Sequence, residues 1–116
     1  MLFLAFALPG LAQHYYVDES NGLKYELDDE KHTAELIQQR GTSGSNFGYS
    51  SLYSAEKYVV PSYVADEGVR YKVTKLGASC FYNAPNLKEV VLPATIEEIG
   101  NGAFISCREL KKLQLN

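Results

Sequence analysis

The chain has 116 residues, of which 46% are hydrophobic and 22% charged, and it carries a net charge of −3. Such a length is enough for about one domain, and the composition is that of an ordinary globular chain. Lysine and arginine form no cluster, so electrostatic capture of nucleic acid has no footing. Residues 14–72 hold ten acids against six bases and residues 73–116 four against five, so neither half carries a field strong enough to imply a partner.

The first dozen residues differ in kind. Residues 2–8 are an unbroken apolar run, followed by Pro9-Gly10 and then Leu11-Ala12-Gln13. An apolar stretch closing on small residues is the pattern of a secretory leader. Gly10 and Ala12 would fill the small-residue positions, and Gln13 would open the mature chain. The run falls well short of the roughly 20 residues that span a bilayer. No Lys or Arg precedes it, which implies either an incomplete leader or a true start upstream. The competing reading is a buried core strand. With residues 1–12 as leader, the protein is expected to be exported.

Residues 15–17 form a short β-prone run. Asn21-Gly22 then supplies a strong hairpin cue, and residues 23–27 alternate apolar and polar with the period of a half-buried strand. Residues 28–31 predict a turn. Residues 33–38 predict a third strand with Ala34, Leu36 and Gln38 on one face, completing a small antiparallel meander. Residues 40–54 are rich in Gly, Ser, Thr, Asn and Tyr without periodicity, which is loop chemistry.

The remaining sequence repeats itself. Residues 73–95 and 96–116 align at a period of 23, pairing Gly77 with Gly100, Phe81 with Phe104, Leu87 with Leu110 and Leu92 with Leu115. Val73 pairs with Ile96, Leu76 with Ile99, Val90 with Leu113 and Lys88 with Lys111. A period of roughly 20–29 residues with leucines at fixed places is the signature of a leucine-rich solenoid. Residues 58–64 (YVVPSYV) match residues 91–96 (VLPATI) as a degenerate first rung, and residues 66–68 predict a turn before the repeat resumes.

Within each unit the inward positions are Leu87, Val90 and Leu92, then Leu110, Leu113 and Leu115. Lys88, Glu89 and Val91 are expected to face outward. Pro93 should end its strand because it cannot donate to the ladder. Ile96 and Ile99 begin a second extended segment closing at Gly100, where glycine turns most easily. Asn101 is placed as the N-cap of a short helical turn carrying Ala103 and Phe104, and Phe81 and Phe104 should stack as core. Cys80 and Cys107 fall in different columns of the repeat. That favours burial as free thiols over a bridge, even in a disulfide-permissive compartment.

Three stretches, IGNGAFISCRELKKLQL, LKEVVLPATIEEIG and YVVPSYV with YKVTKLG, resemble the BspA-type leucine-rich repeats of bacterial surface proteins. The second copy keeps Ile99-Gly100, Ala103-Phe104 and Cys107, whereas the first has Cys80 for the alanine and Ala84 for the cysteine. The likeness covers residues 58–116, and residues 16–38 are similar to the hairpin lead-in of such proteins. The resemblance implies a secreted or cell-surface protein used for adhesion or protein recognition, with a protein or host-surface ligand.

The expected fold is therefore an α/β leucine-rich-repeat solenoid, parallel strands with short helical turns, preceded by an antiparallel meander. Residues 13–57 form the meander and loop, and residues 58–116 the solenoid. Function is expected on its strand face, where Glu89, Val91, Lys112 and Gln114 lie on neighbouring rungs about 4.8 Å apart. No catalytic, cofactor or metal residues are assigned. His14 and His32 lack a second ligand at useful spacing, and residues 28–30 lack the spacing of a calcium loop. No Gly-Lys-Ser/Thr follows the glycines of residues 41–48, and no Gly-x-Ser-x-Gly elbow occurs.

Nine tyrosines with no tryptophan are the one compositional excess. Tyr49, Tyr53, Tyr58 and Tyr63 cluster around the loop and first rung, and strand structure outweighs a recognition role for them. Two further readings stay open. One is the amino-terminal cap of a longer repeat array with only a structural role, whose uncovered last strand would self-associate. The other is a small secreted carbohydrate-binding domain.

Overall fold

The computed structural model describes residues 13–38 and 53–116. The apolar run expected to be a leader, and the loop expected at residues 40–54 up to Leu52, lie outside the described residues. The strands in order are β1 (His14–Asp18), β2 (Leu23–Asp28), β3 (Thr33–Ile37), β4 (Lys57–Val59), β5 (Tyr63–Asp66), β6 (Val69–Leu76), β7 (Glu89–Leu92), β8 (Glu98–Ile99) and β9 (Lys112–Leu115).

Local chemistry explains the meander. Asp18 turns the chain by accepting from the Ser20 amide and hydroxyl, and Gly22 takes a φ of 79°. Asp28 does the same for the Glu30 and Lys31 amides. Side-chain acceptors of this kind stabilise tight turns. β1, β2 and β3 pair antiparallel, with Tyr25 opposite both Tyr16 and Leu36. The alternation then buries Leu23, Tyr25 and Leu27 on one face, with Ala34 and Leu36 beside them.

The meander is built into the coil. β3 pairs parallel with β6 from Thr33–Lys72 to Leu36–Leu76, across a register shift after Ala34. On its other side β6 pairs antiparallel with β5 and, at its far end, parallel with β8. The larger sheet thus runs β1-β2-β3-β6-β5 with β8 added to β6. Between β5 and β6, Glu67 and Gly68 have φ of 51° and 83°. A two-residue loop with both centres positive matches the right-handed twist of a hairpin.

The second sheet, β4-β7-β9, is wholly parallel. β7 pairs with β9 as Glu89–Lys112, Val90–Leu113, Val91–Gln114 and Leu92–Leu115, the 23-residue offset. β4 pairs with β7 as Lys57–Glu89, Tyr58–Val90 and Val59–Val91, an offset of 32. The nine extra residues accommodate the β5–β6 hairpin. Pro93 follows the last residue of β7, as expected.

The helical turns are not present. Among the described residues there are strands and turns but no helix, so the α/β expectation and the N-cap role of Asn101 are corrected. The segment after Gly77 divides its amides between two uses. The amides of Cys80 and Tyr82 donate three residues back, to Gly77 and Ser79, while those of Ser79, Phe81 and Asn83 donate to Asn101, Ala103 and Ile105 of the next rung. A helix would keep all of these within one segment. Positive φ at Ser79, Asn83, Gly102 and Ser106 breaks each turn before a helix can propagate.

Gly100 is also needed for a different reason than turning. It is absent from the positive-φ residues, but a Cβ there would stand 2.6 Å from the Ala78 amide nitrogen and 2.8 Å from the Gly77 carbonyl carbon. The two repeat glycines lie backbone against backbone, an approach that only glycine permits.

One apolar cluster runs from Leu23 of the meander to Ala103 of the last rung. Phe81 and Phe104 stack with centroids 5.5 Å apart and planes within 6°. Val91, expected to face outward, is only 7% accessible, flanked by Val59 and Gln114 across both ladders. The inward leucines of the last rung are corrected in the other sense. Leu113 and Leu115 are 48% and 71% exposed, because β9 is an edge strand with a neighbour on one side only.

Candidate functional site

The parallel register of β4, β7 and β9 determines what their outer face displays. Every second residue points away from the core, which produces two rows across the strands. The first is Lys57, Glu89, Lys112 and the second Val59, Val91, Gln114. The four residues expected to contact a partner, Glu89, Val91, Lys112 and Gln114, therefore occupy adjacent register positions on two neighbouring strands.

Charge alternates along the first row. The Lys112 ammonium lies 3.8 Å from the Glu89 carboxylate, and Lys88 pairs with Glu56 at 3.6 Å. These partly or well exposed pairs are long, and such pairs contribute only about 0.2–1 kcal/mol each. A partner's charge could replace either member at little cost to the fold. Val59, half exposed at the sheet edge, places an apolar contact beside them.

The tyrosines divide. Tyr53 and Tyr58 are buried, with their rings 5.0 and 5.8 Å from that of Phe81. Tyr63 is exposed and lies under the Arg70 guanidinium at 4.1 Å, while Tyr49 is outside the described residues. Both cysteines are free. Burial pushes the Cys80 thiol up to about 12, leaving almost no thiolate at neutral pH. Cys107 is only partly buried, and its thiol donates to the Phe81 carbonyl of the preceding rung at 2.9 Å.

A second polar cluster was not visible in the linear order. His14 Nδ1 lies 2.9 Å from Asp29 Oδ1, and Nε2 lies 2.7 Å from Asp66 Oδ2. Tyr71 donates its hydroxyl to Asp29 Oδ1 at 2.6 Å, which pushes the phenol up to about 12. Both histidine rings meet Tyr71 edge-on. His14 has no partner in the linear order because the carboxylates it meets lie 15 and 52 residues further along the chain. Among the described residues no set of three or more His, Cys, Asp or Glu side chains is arranged to hold a metal ion, and no helix is long and apolar enough to cross a membrane.

Comparison with known proteins agrees with this geometry. The family model described as "BspA type Leucine rich repeat region (6 copies)" matches residues 69–116. A leucine-rich repeat protein from Bacteroides capillosus is 26% identical, with a TM-score of 0.64 over 81% of this chain and 61% of that one. A leucine rich cell surface protein from Faecalibacterium prausnitzii is 25% identical, with a TM-score of 0.65 over 90% of this chain and 24% of that one. A leucine rich repeat protein of T. pallidum, at 22% identity and a TM-score of 0.59 over 79% and 36%, supports the fold alone. The chain thus spans less than two thirds of each of these structures. No curated protein matches it. Residues 69–116, with their 23-residue register and stacked phenylalanines, thus match the BspA-type leucine-rich repeat model and resemble bacterial leucine-rich repeat structures.

Proposed function

We propose that the protein is a non-catalytic, exported or cell-surface recognition module that binds a protein or host-surface ligand through the outer face of β4, β7 and β9. The observation that carries this is the in-register display of Lys57–Glu89–Lys112 beside the half-exposed Val59 and the exposed Gln114, with Val91 covered between them. Solenoid sheets recognise extended partners by summing many small contacts along such rows, and mixed charged and apolar rows suit a protein surface. The Faecalibacterium neighbour's description as a cell surface protein and the leader pattern in residues 1–12 support export. Residues 13–57 serve as the cap and residues 58–116 as the presenting unit.

Binding of the labelled full chain to host-cell surfaces tests the reading. Glu89→Lys and Lys112→Glu should each weaken binding about tenfold while the far-ultraviolet spectrum stays unchanged, the scale of one charged contact at an interface. Equal binding by both variants would remove this face from consideration. Export predicts that the secreted protein begins at Gln13, which amino-terminal sequencing checks.

A second reading has an observation of its own. Ile99, Leu113 and Leu115 are 49%, 48% and 71% exposed on edge strands, and an open apolar edge invites strand pairing. In that reading the module is the cap of a longer array, with only a structural role and self-association through this edge. Light scattering at rising concentration separates the two, since a persistent monomer removes self-association and leaves the recognition face untouched.

A further inference from the structure

β1 and β5 are the opposite edges of the larger sheet, in the order β1-β2-β3-β6-β5. Four steps at the usual strand spacing of about 4.8 Å would hold them roughly 19 Å apart in a flat sheet. The first residue of β1 nevertheless touches the last residue of β5: His14 Nε2 is 2.7 Å from Asp66 Oδ2. The sheet must curl at this end until its edges meet side chain to side chain. Asp29, in the turn between β2 and β3, takes the other imidazole nitrogen at 2.9 Å.

An imidazole can donate from both nitrogens only when it is protonated. The neutral ring would turn one lone pair toward a carboxylate at hydrogen-bond distance, a repulsive contact. Carboxylates meet both ring nitrogens, and the other ring that packs on the imidazole is Tyr71. Asp29 comes from the β2–β3 turn and Asp66 from β5, with Glu67 next in the hairpin. Tyr71 of β6 stacks edge-on between His14 and His32, and its hydroxyl is already donated to Asp29. Glu26, on the opposite face of β2, is held by Gln13 at 3.2 Å.

We propose that His14 is a pH-set clasp that joins the two edges of the larger sheet as an imidazolium and releases β1 when it loses its proton. The hydrogen bonds to Asp29 and then Asp66 raise the His14 pKa above the usual 6.5. A folded value above the unfolded one contributes stability in full below about pH 6.5 and loses it as pH rises through the raised value. Asp29 has the opposite sign. Tyr71 first, and His14 second, hold its carboxyl below the usual 3.8, so its share is present above that value and lost as pH falls through the depressed one. The clasp is complete between those two limits. Beyond the upper limit β1 loses its tie to β5 and is held by its ladder to β2 and by Tyr16 against the core, and its release would bare the β2 edge for pairing with another chain.

The test is a pH titration of the full chain by NMR, with the exchange rates of the β1 amides read relative to their intrinsic rates. The account expects a His14 midpoint above 6.5 and a β1 protection that falls about threefold to tenfold from acid to alkaline pH, the range of a few weak ion pairs. In His14→Gln that fall should vanish, and Asp66→Asn should lower the His14 midpoint while the chain stays folded. A midpoint at or below 6.5, or the same loss of protection in His14→Gln as in the parent, would overturn the clasp. Should His14→Gln fail to fold, the Asp66→Asn midpoint decides alone: a fall supports the clasp and no change refutes it.

Discussion

Residues 73–95 and residues 96–116 carry nearly the same pattern and arrive at different environments. In the first copy Cys80, Phe81, Ala84, Leu87, Val90 and Leu92 are all fully buried. At the matching places of the second copy only Ala103 is buried. Phe104, Cys107 and Leu110 are partly so, and Leu113 and Leu115 are largely exposed. The residue types are alike, so the difference comes from the neighbours. β7 has β4 on one side and β9 on the other, whereas β9 has β7 alone. In a coil of rungs a leucine is buried by the next turn of chain rather than by its own.

Substitution can break that comparison. Phe81→Ala removes a fully buried ring in contact with Tyr53, Tyr58 and Phe104 and should cost about 3–5 kcal/mol. Phe104→Ala, at a half-covered site, should cost about 1–2 kcal/mol on its smaller buried area. Leu92→Ala should cost about 2–5 kcal/mol, against at most about 0.5 kcal/mol for Leu115→Ala. Urea denaturation of the four variants ranks them, and equal losses in the two copies would contradict the rung account.

A smaller effect sharpens the comparison at the glycines. Gly100→Ala drives a Cβ into the backbone of the rung before it and should cost about 1–3 kcal/mol. Gly68→Ala meets no atom within 4 Å, but must hold a φ of +83°, which costs about 1–2 kcal/mol. Thermal unfolding of the pair separates crowding from strain, because Gly68→Asn should recover much of its loss, asparagine tolerating the left-handed region, while Gly100→Asn should not. The smallest stability change is expected at the recognition face, where Glu89→Lys should alter the fold by no more than about 1 kcal/mol.

The parts of the molecule legible in the sequence are those written locally. The 23-residue period, the turns built on Asp18 and Asp28 and the buried face of β2 all rest on residues within one or two turns of each other. The missing helical turns depend on the sign of φ at Ser79, Asn83 and Ser106, residues that accept either sign at modest cost when tertiary bonds reward it. The rung-to-rung amide bonds supply that reward at Ser79 and Asn83. Parallel pairing of β3 with β6 and the His14 contact with Asp66 join segments tens of residues apart, and no local pattern announces either. The low accessibility of Val91 is not legible in the sequence because side-chain alternation gives a direction but not what stands on either side.

A double-mutant cycle on Phe81 and Phe104 tests the stacking of rungs most directly, since these rings belong to successive copies and meet face to face at 5.5 Å. Stability of the parent, Phe81→Ala, Phe104→Ala and the double variant should yield a favourable coupling of about 0.5–1.5 kcal/mol, the range for paired aromatic rings. Additive losses, with no coupling between the two positions, would contradict the stacked coil.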